Sequence, residues 1–236
     1  MMAVLRSLAF YAVFYGASVL FVLIAVAVAL LFPQAGRAVP ERWSSFHHAC
    51  VRHILGIDIR IVGERPSQPV LYALKHESFF EAIDLPTLIH RPVIFAKEEL
   101  FRIPGWGRAA LAYGVVPVRR DKGAAALRDM VVAARSFARS GRPLAIFPEG
   151  TRVPHGAAAP IRAGFAGLYK LLGLPVVPVA VNSGPLYHRR WKRAGIITYR
   201  FGEPIPPGLP REEIEARVIS EINALNDGQS AGGAQL

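Results

Sequence analysis

His76 is followed five residues later by a carboxylate, Glu81, in the run Lys75-His76-Glu77-Ser78-Phe79-Phe80-Glu81. An imidazole acts as a general base at neutral pH once a partner holds one ring nitrogen and leaves the other free. On a continuous helix, residues five apart diverge by about 140°, because each residue turns the helix by roughly 100°. His76 and Glu81 therefore meet only if His76 lies in an entry turn and Glu81 on the helix that follows. The β-rich run Leu71–Leu74 supplies that break. It also sets His76 at the carboxyl end of a strand, where catalytic groups of open α/β sheets collect. Asp84 lies about 12 Å from His76 along a helix axis, too far for a direct bond. Ser78 reads as a helix cap rather than a nucleophile.

A second chemical run is Phe147-Pro148-Glu149-Gly150-Thr151-Arg152, after the apolar stretch Leu144–Phe147. Pro and Gly force a turn, and a guanidinium projecting from it binds phosphate bidentately. Glu149 is expected to orient Arg152 or a substrate hydroxyl. Lys97, Arg120 and Arg162 end or follow comparable elements and can converge on the same sheet edge. Two mimics fail. His76-Glu77 opens like a zincin helix, but Phe80 stands where the second histidine ligand is required. Gly105-x-Gly107-x-x-Ala110 follows Arg102-Ile103-Pro104 rather than a strand, so it is not a dinucleotide fingerprint.

The elements that must position these groups follow from the pattern. From Ile57 onward, short β-rich runs alternate with helical ones, which indicates an α/β fold with one sheet covered on both faces. Strands are expected at 57–62, 69–74, 92–96, 114–118, 143–147, 176–181 and 196–201, and helices at 78–89, 105–111, 124–140, 162–172 and 211–225.

The first 56 residues have a different texture. Leu8–Phe32 carries no charge over 25 residues, so a helix there spans roughly 37 Å against a hydrocarbon core of about 30 Å. That exceeds the apolar region of a secretory signal, and Ala35-Gly36-Arg37-Ala38 is a poor cleavage site. A retained membrane helix is expected, tilted or partly interfacial, followed by a second helix over 41–55 packed on it. His47, His48 and His53 on that second helix have no acidic partner nearby in the sequence and read as interfacial rather than metal ligands. The single cysteine, Cys50, excludes an intramolecular disulfide framework and reads as a packing residue. Net charge is +11. The basic run His188-Arg189-Arg190-Trp191-Lys192-Arg193 with its embedded Trp suits an anionic lipid surface, so lipid rather than nucleic acid is the expected partner. The Gly/Ala/Gln/Ser-rich tail 227–236 reads as disordered.

With these residues in place, the chain resembles the lysophosphatidic acid acyltransferase family (1-acyl-sn-glycerol-3-phosphate O-acyltransferases) of the glycerophospholipid acyltransferases. The resemblance covers about residues 70–185 and runs through four blocks in the family's order. They are His76-x-x-x-x-Glu81; Lys97-Glu98-Glu99-Leu100 through Ile103-Pro104-Gly105-Trp106-Gly107 to Gly114-Val115-Val116-Pro117-Val118-Arg119-Arg120; Phe147-Pro148-Glu149-Gly150-Thr151-Arg152; and Pro175-Val176-Val177-Pro178-Val179-Ala180-Val181-Asn182-Ser183-Gly184. Glu81 replaces the commoner Asp, Arg119 replaces an acidic residue, and Arg162 stands where a Lys is often seen.

The resemblance implies a mixed, largely parallel sheet flanked by helices (the glycerolipid acyltransferase fold), with an N-terminal membrane-associated helical pair. The implied domains are 1–56, 57–226 for catalysis, and the tail 227–236. It implies an enzyme that moves an acyl group from acyl-CoA or acyl-carrier protein to the sn-2 hydroxyl of 1-acyl-glycerol-3-phosphate, giving phosphatidic acid. His76 is then the base oriented by Glu81, while Lys97, Arg120, Glu149, Gly150, Thr151, Arg152 and Arg162 hold substrate. No metal or other cofactor is expected. The implied partners are lysophospholipid, acyl thioester, membrane lipid and an acyl-carrier protein as alternative donor. The implied location is a bacterial inner membrane with the catalytic domain on its cytoplasmic face. Another acceptor, such as a lyso-ornithine lipid, and a non-catalytic membrane-surface role are the competing readings.

Overall fold

Residues 1–31, 38–66, 68–119 and 123–226 are described in a computed structural model of the chain. The β-rich runs form seven strands: β1 (Ile57–Val62), β2 (Leu71–Leu74), β3 (Val93–Lys97), β4 (Val116–Val118), β5 (Leu144–Ile146), β6 (Val176–Val181) and β7 (Gly195–Phe201). They make one sheet in the order β1-β7-β6-β2-β5-β3-β4. Strands β2 to β6 are mutually parallel; β7 runs antiparallel to β6 and parallel to β1. Every residue of β2, β5 and β6 is buried, as expected of parallel strands covered on both faces. Because β2, β3, β4, β5 and β6 point the same way, the segments after all five emerge on one edge.

Helices α1 (Met2–Phe10) and α2 (Gly16–Leu31) are joined by a π-helical turn, Tyr11–Tyr15, into one continuous rod. Met2–Val28 is long and apolar enough to cross a membrane. One face is packed along its length. Phe10 and Phe14 lie fully inside the core with Phe80, Tyr187 and Tyr199. The Trp43 indole donates to Ser18 Oγ (2.9 Å). Near the far end, Gly105 sits with φ +76°, and a Cβ there would stand 2.6 Å from Val22 Cγ1. That close approach admits only glycine. The other face, including Leu5, Leu20 and Leu23, is exposed.

Helix α3 (Ala38–Cys50), prolonged by Val51–Leu55, packs on this rod and on α4 (Phe79–Leu88). Here the structure corrects the reading of the histidines. His47 is buried among Phe10, Phe14, Phe80 and Tyr187, its Nε2 2.8 Å from the Tyr187 hydroxyl. His48 Nδ1 lies 2.8 Å from Asp84 Oδ1. Of the three, only His53 is exposed. Their partners lie dozens of residues downstream, so proximity in sequence could not reveal them. The remaining helices are α5 (Trp106–Tyr113), α6 (Gly123–Arg139), α7 (Ala163–Leu172), α8 (Gly184–Tyr187) and α9 (Arg211–Ile222), with a 3-10 turn at Glu98–Arg102. The tail 227–236 lies outside the described residues.

Burial pushes the His47 pKa down to about 3, against an unfolded value near 6.5. Between those values the unfolded chain binds the proton that the folded chain refuses, so stability falls as pH drops from about 6.5 towards 3. Urea unfolding in neutral detergent should lose a few kcal/mol across that window. His47→Gln should flatten this acid limb; an unchanged limb would place its origin elsewhere.

Candidate active site

The segment after β2 is pinned residue by residue. Lys75 begins at the strand end and is wholly buried. Its ammonium donates to Glu149 Oε1 (2.7 Å), Ala157 O (2.8 Å) and Asn223 Oδ1 (2.7 Å), which uses all three of its protons. His76 donates its backbone N–H to Glu149 Oε2 (3.3 Å) and accepts Val153 N–H at its carbonyl (2.7 Å). Glu77 is buried between His155 Nδ1 (2.9 Å) and the Gly184 N–H (2.7 Å). The loop 149–157 thus straps down residues 75, 76 and 77 in turn.

Ser78 caps α4, its Oγ accepting the Phe80 N–H (3.0 Å). Glu81 closes the capping box from the third helical position. Its Oε1 accepts the N–H groups of Glu77 and of Ser78 (2.6 Å for the latter) and lies 3.2 Å from His76 Nδ1. Its Oε2 accepts Ser183 Oγ (2.7 Å) and Ser78 Oγ (3.0 Å). Burial alone would raise the Glu81 pKa, but the hydrogen bonds from His76, Ser78 and Ser183 outweigh it and hold the group below the ordinary range. An ionised carboxylate only accepts, so Nδ1 of His76 carries the proton and Nε2 is the free, basic nitrogen. The imidazole is stacked on Phe147 with centroids 4.2 Å apart, and its side chain is 17% exposed. It is rigid on one side and open on the other.

The turn after β5 arrives beside it. Gly150, at φ +68°, lets its N–H reach back to the Phe147 carbonyl (3.0 Å). Thr151 and Arg152 face solvent, and the Arg152 guanidinium lies over the Phe79 ring at 4.2 Å. Glu149 differs from expectation. Rather than orienting Arg152, it points inward to Lys75 and the His76 backbone. Burial raises its pKa against the lowering pull of Lys75. Lys97, at the end of β3, and Arg162, before α7, are exposed on the same edge. The Arg162 N–H donates to the Pro148 carbonyl (2.9 Å). Both side chains lie outside the His76–Glu149 network. Arg119 pairs with Glu98 at 3.0 Å; Arg120 lies outside the described residues.

Sequence reading missed Lys75, Glu77, His155, Ser183 and Asn223. One signal was available: Lys75 directly extends an entirely apolar strand, and a lysine in such a place needs a buried partner. Lys75→Met should destabilise the protein by about 3–5 kcal/mol, because it strands the Glu149 charge. Lys75→Met combined with Glu149→Gln should recover much of that loss in a urea double-mutant cycle. Simple additivity of the two single effects would show the pair to be uncoupled.

A family model described as "Acyltransferase" matches residues 56–182 of the chain. The 1-acyl-sn-glycerol-3-phosphate acyltransferase of Pseudomonas aeruginosa is 29% identical over 202 residues, 84% of this chain and 77% of that protein. The Cocos nucifera protein of the same name is 28% identical over 73% of this chain. The alpha form from Homo sapiens is 26% identical over 70%. The chain spans 58% and 62% of those two eukaryotic relatives, less than two thirds of either. The crystal structure of the 1-acyl-sn-glycerophosphate (LPA) acyltransferase from Thermotoga maritima superposes with a TM-score of 0.76 at 20% identity, covering both chains entirely, and so shares the fold. With a family match over more than half its length, spanning the His76–Glu81 pair and the Glu149–Arg152 turn, the chain belongs to the acyltransferase family.

Proposed function

We propose that this chain transfers a fatty acyl group from acyl-CoA or acyl-carrier protein to the sn-2 hydroxyl of 1-acyl-glycerol-3-phosphate, yielding phosphatidic acid. The observation that carries the reading is the His76–Glu81 pair. A buried, ionised carboxylate fixes Nδ1–H, and Nε2 remains free at the sheet edge where the Gly150-Thr151-Arg152 turn emerges. The names of the relatives support the choice of acceptor.

In this mechanism Nε2 of His76 takes the proton of the acceptor hydroxyl as its oxygen attacks the thioester carbonyl carbon. The tetrahedral intermediate collapses, the C–S bond breaks, and the imidazolium returns the proton to the leaving thiolate. The products are the new ester and a free thiol. Glu81 keeps the correct tautomer and stabilises the transient imidazolium. The imidazole accepts the proton itself, so the step requires no metal. Arg152 binds the acceptor phosphate, with Lys97 and Arg162 adding positive charge along the edge; Arg120 keeps the substrate-binding role that the resemblance implies. Glu149 acts by holding the His76 backbone rather than by touching substrate.

The reading places the protein at a bacterial inner membrane with its catalytic domain towards the cytoplasm. The exposed apolar face of α1 and α2, the basic residues flanking it and the lone cysteine support this placement.

The test is acyl transfer from palmitoyl-CoA, and from an acyl-carrier protein, to lysophosphatidic acid. His76→Ala should lower kcat by about 10³, within the range for a general base, with an unchanged unfolding midpoint. Glu81→Gln should lower kcat by about 10² or more with a smaller change in KM. Turnover that survives His76→Ala, or wild type that is inactive with every donor and lysolipid tried, would overturn the proposal.

A further inference from the structure

A cleft of about 290 Å³ opens between the Arg152 turn and the basic segment 188–193, walled by Phe79 and by Tyr15 of the N-terminal rod. Arg152, Arg189, Arg190 and Lys192 all line it. The segment is anchored on both sides. Lys192 donates its backbone N–H to Ser7 Oγ (2.8 Å) and its ammonium to the Tyr187 carbonyl (2.8 Å), 3.8 Å above the Tyr187 ring. The Tyr11 hydroxyl donates to the Arg190 carbonyl. Arg190 rests on the Trp191 ring at 4.9 Å. These contacts hold Arg189 and Arg190 at the cleft.

The charge there is uncompensated. Arg119, Arg200, Arg211 and Arg217 each pair with a carboxylate, whereas no carboxylate pairs with Arg152, Arg189 or Arg190 among the described residues. Arginines that line one cleft without a carboxylate partner suit a phosphate. The volume is at the small end for ligand sites, which suits a glycerol phosphate better than a nucleotide. Tyr15 belongs to the apolar rod, whose outer face is exposed beside the cleft. The ligand that fits is an amphiphile with a phosphate head and an apolar tail lying along that face. The turn that lines the cleft is tied to the catalytic segment: Val153, next to Arg152, donates its N–H to the His76 carbonyl (2.7 Å).

We propose that Arg189 and Arg190 join Arg152 in binding the phosphomonoester head of the lysolipid acceptor, making the 188–193 segment a specificity element for that headgroup. This rests on the acyl-transfer reading and extends its phosphate site beyond the four sequence blocks.

The test uses full-length protein in neutral detergent. Binding of lysophosphatidic acid and of lysophosphatidylcholine is measured without donor, and KM for each substrate is measured with palmitoyl-CoA. Wild type should prefer the phosphomonoester. Arg189→Ala/Arg190→Ala should weaken lysophosphatidic acid binding and raise its KM about tenfold or more, as expected for lost charge-assisted bonds. KM for palmitoyl-CoA and the unfolding midpoint should stay unchanged. Arg190→Gln, a milder variant, should shift both readouts in the same direction. Unaltered lysophosphatidic acid binding would overturn the assignment. So would a rise confined to KM for palmitoyl-CoA, which would mark a donor site. Loss of binding to vesicles containing phosphatidylglycerol, with detergent binding of lysophosphatidic acid retained, would mark a membrane-docking surface instead. Selective, arginine-dependent binding in a wild type that shows no turnover would sink the acyl-transfer reading while leaving the headgroup site standing.

Discussion

The structure around the site depends on one buried carboxylate. Glu81 has no contact with solvent, and a bare charge in that position would be far too costly to keep. It is tolerated because both oxygens are occupied by donors from two places: the entry turn at 76–78 and Ser183, just beyond the end of β6. The same atoms that terminate the helix also aim the imidazole. Glutamate is the ordinary third-position partner in a capping box, which gives a local reason for Glu81 where the resembling family more often carries Asp. Helix capping and orientation of His76 are therefore one interaction, and a defect in either disturbs both.

Around that centre lies a second buried charge system. Lys75 and Glu149 sit on adjacent parallel strand ends, β2 and β5, and neutralise each other inside the protein. The remaining protons of Lys75 reach the loop at Ala157 and the end of α9 at Asn223. A buried ion pair adds little net stability over an apolar pair, but breaking it is costly. Its consequence here is geometric: the turn carrying Arg152 cannot shift without disturbing the backbone of His76. The first and third sequence blocks are thus held as one body, which the proposed reaction uses by having base and phosphate clamp act on the same molecule.

The N-terminal rod is integrated rather than appended. Phe10 and Phe14 belong to the same core as the sheet residues Tyr72 and Tyr199, and Val22 and Val26 meet Gly105 further along. Its packed face reaches the catalytic elements through Tyr187 and the 188–193 segment, while its other face is apolar and exposed. The rod contributes Tyr15 to the cationic cleft, and the turn strapped to His76 contributes Arg152. In the proposed reading, these features suit a phosphate-headed lipid that presents its hydroxyl to His76.

Much of this was legible in the chain itself. Alternating short apolar runs and amphipathic helices gave the α/β class, and all seven strands fall within two residues of their expected bounds; β2 and β4 each begin two residues later than expected. The requirement for a strand-to-turn-to-helix break between His76 and Glu81 followed from helical geometry alone and holds in the structure. These features are local, set by side-chain periodicity, caps and turn residues over a few positions. The identity of distant partners was not legible. Glu149 read as a surface ligand from its turn, yet it is the counter-ion of Lys75, 74 residues away. His48 looked unpaired until the fold brought Asp84 to it, and His47 looked interfacial until Phe80 and Tyr187 closed around it. The sequence by itself determined which segments become strands and helices and which residues carry chemistry. Only the tertiary structure decided which charges are buried against each other, because burial and pairing come from strand order, and strand order is set by packing across the whole sheet rather than by neighbours along the chain.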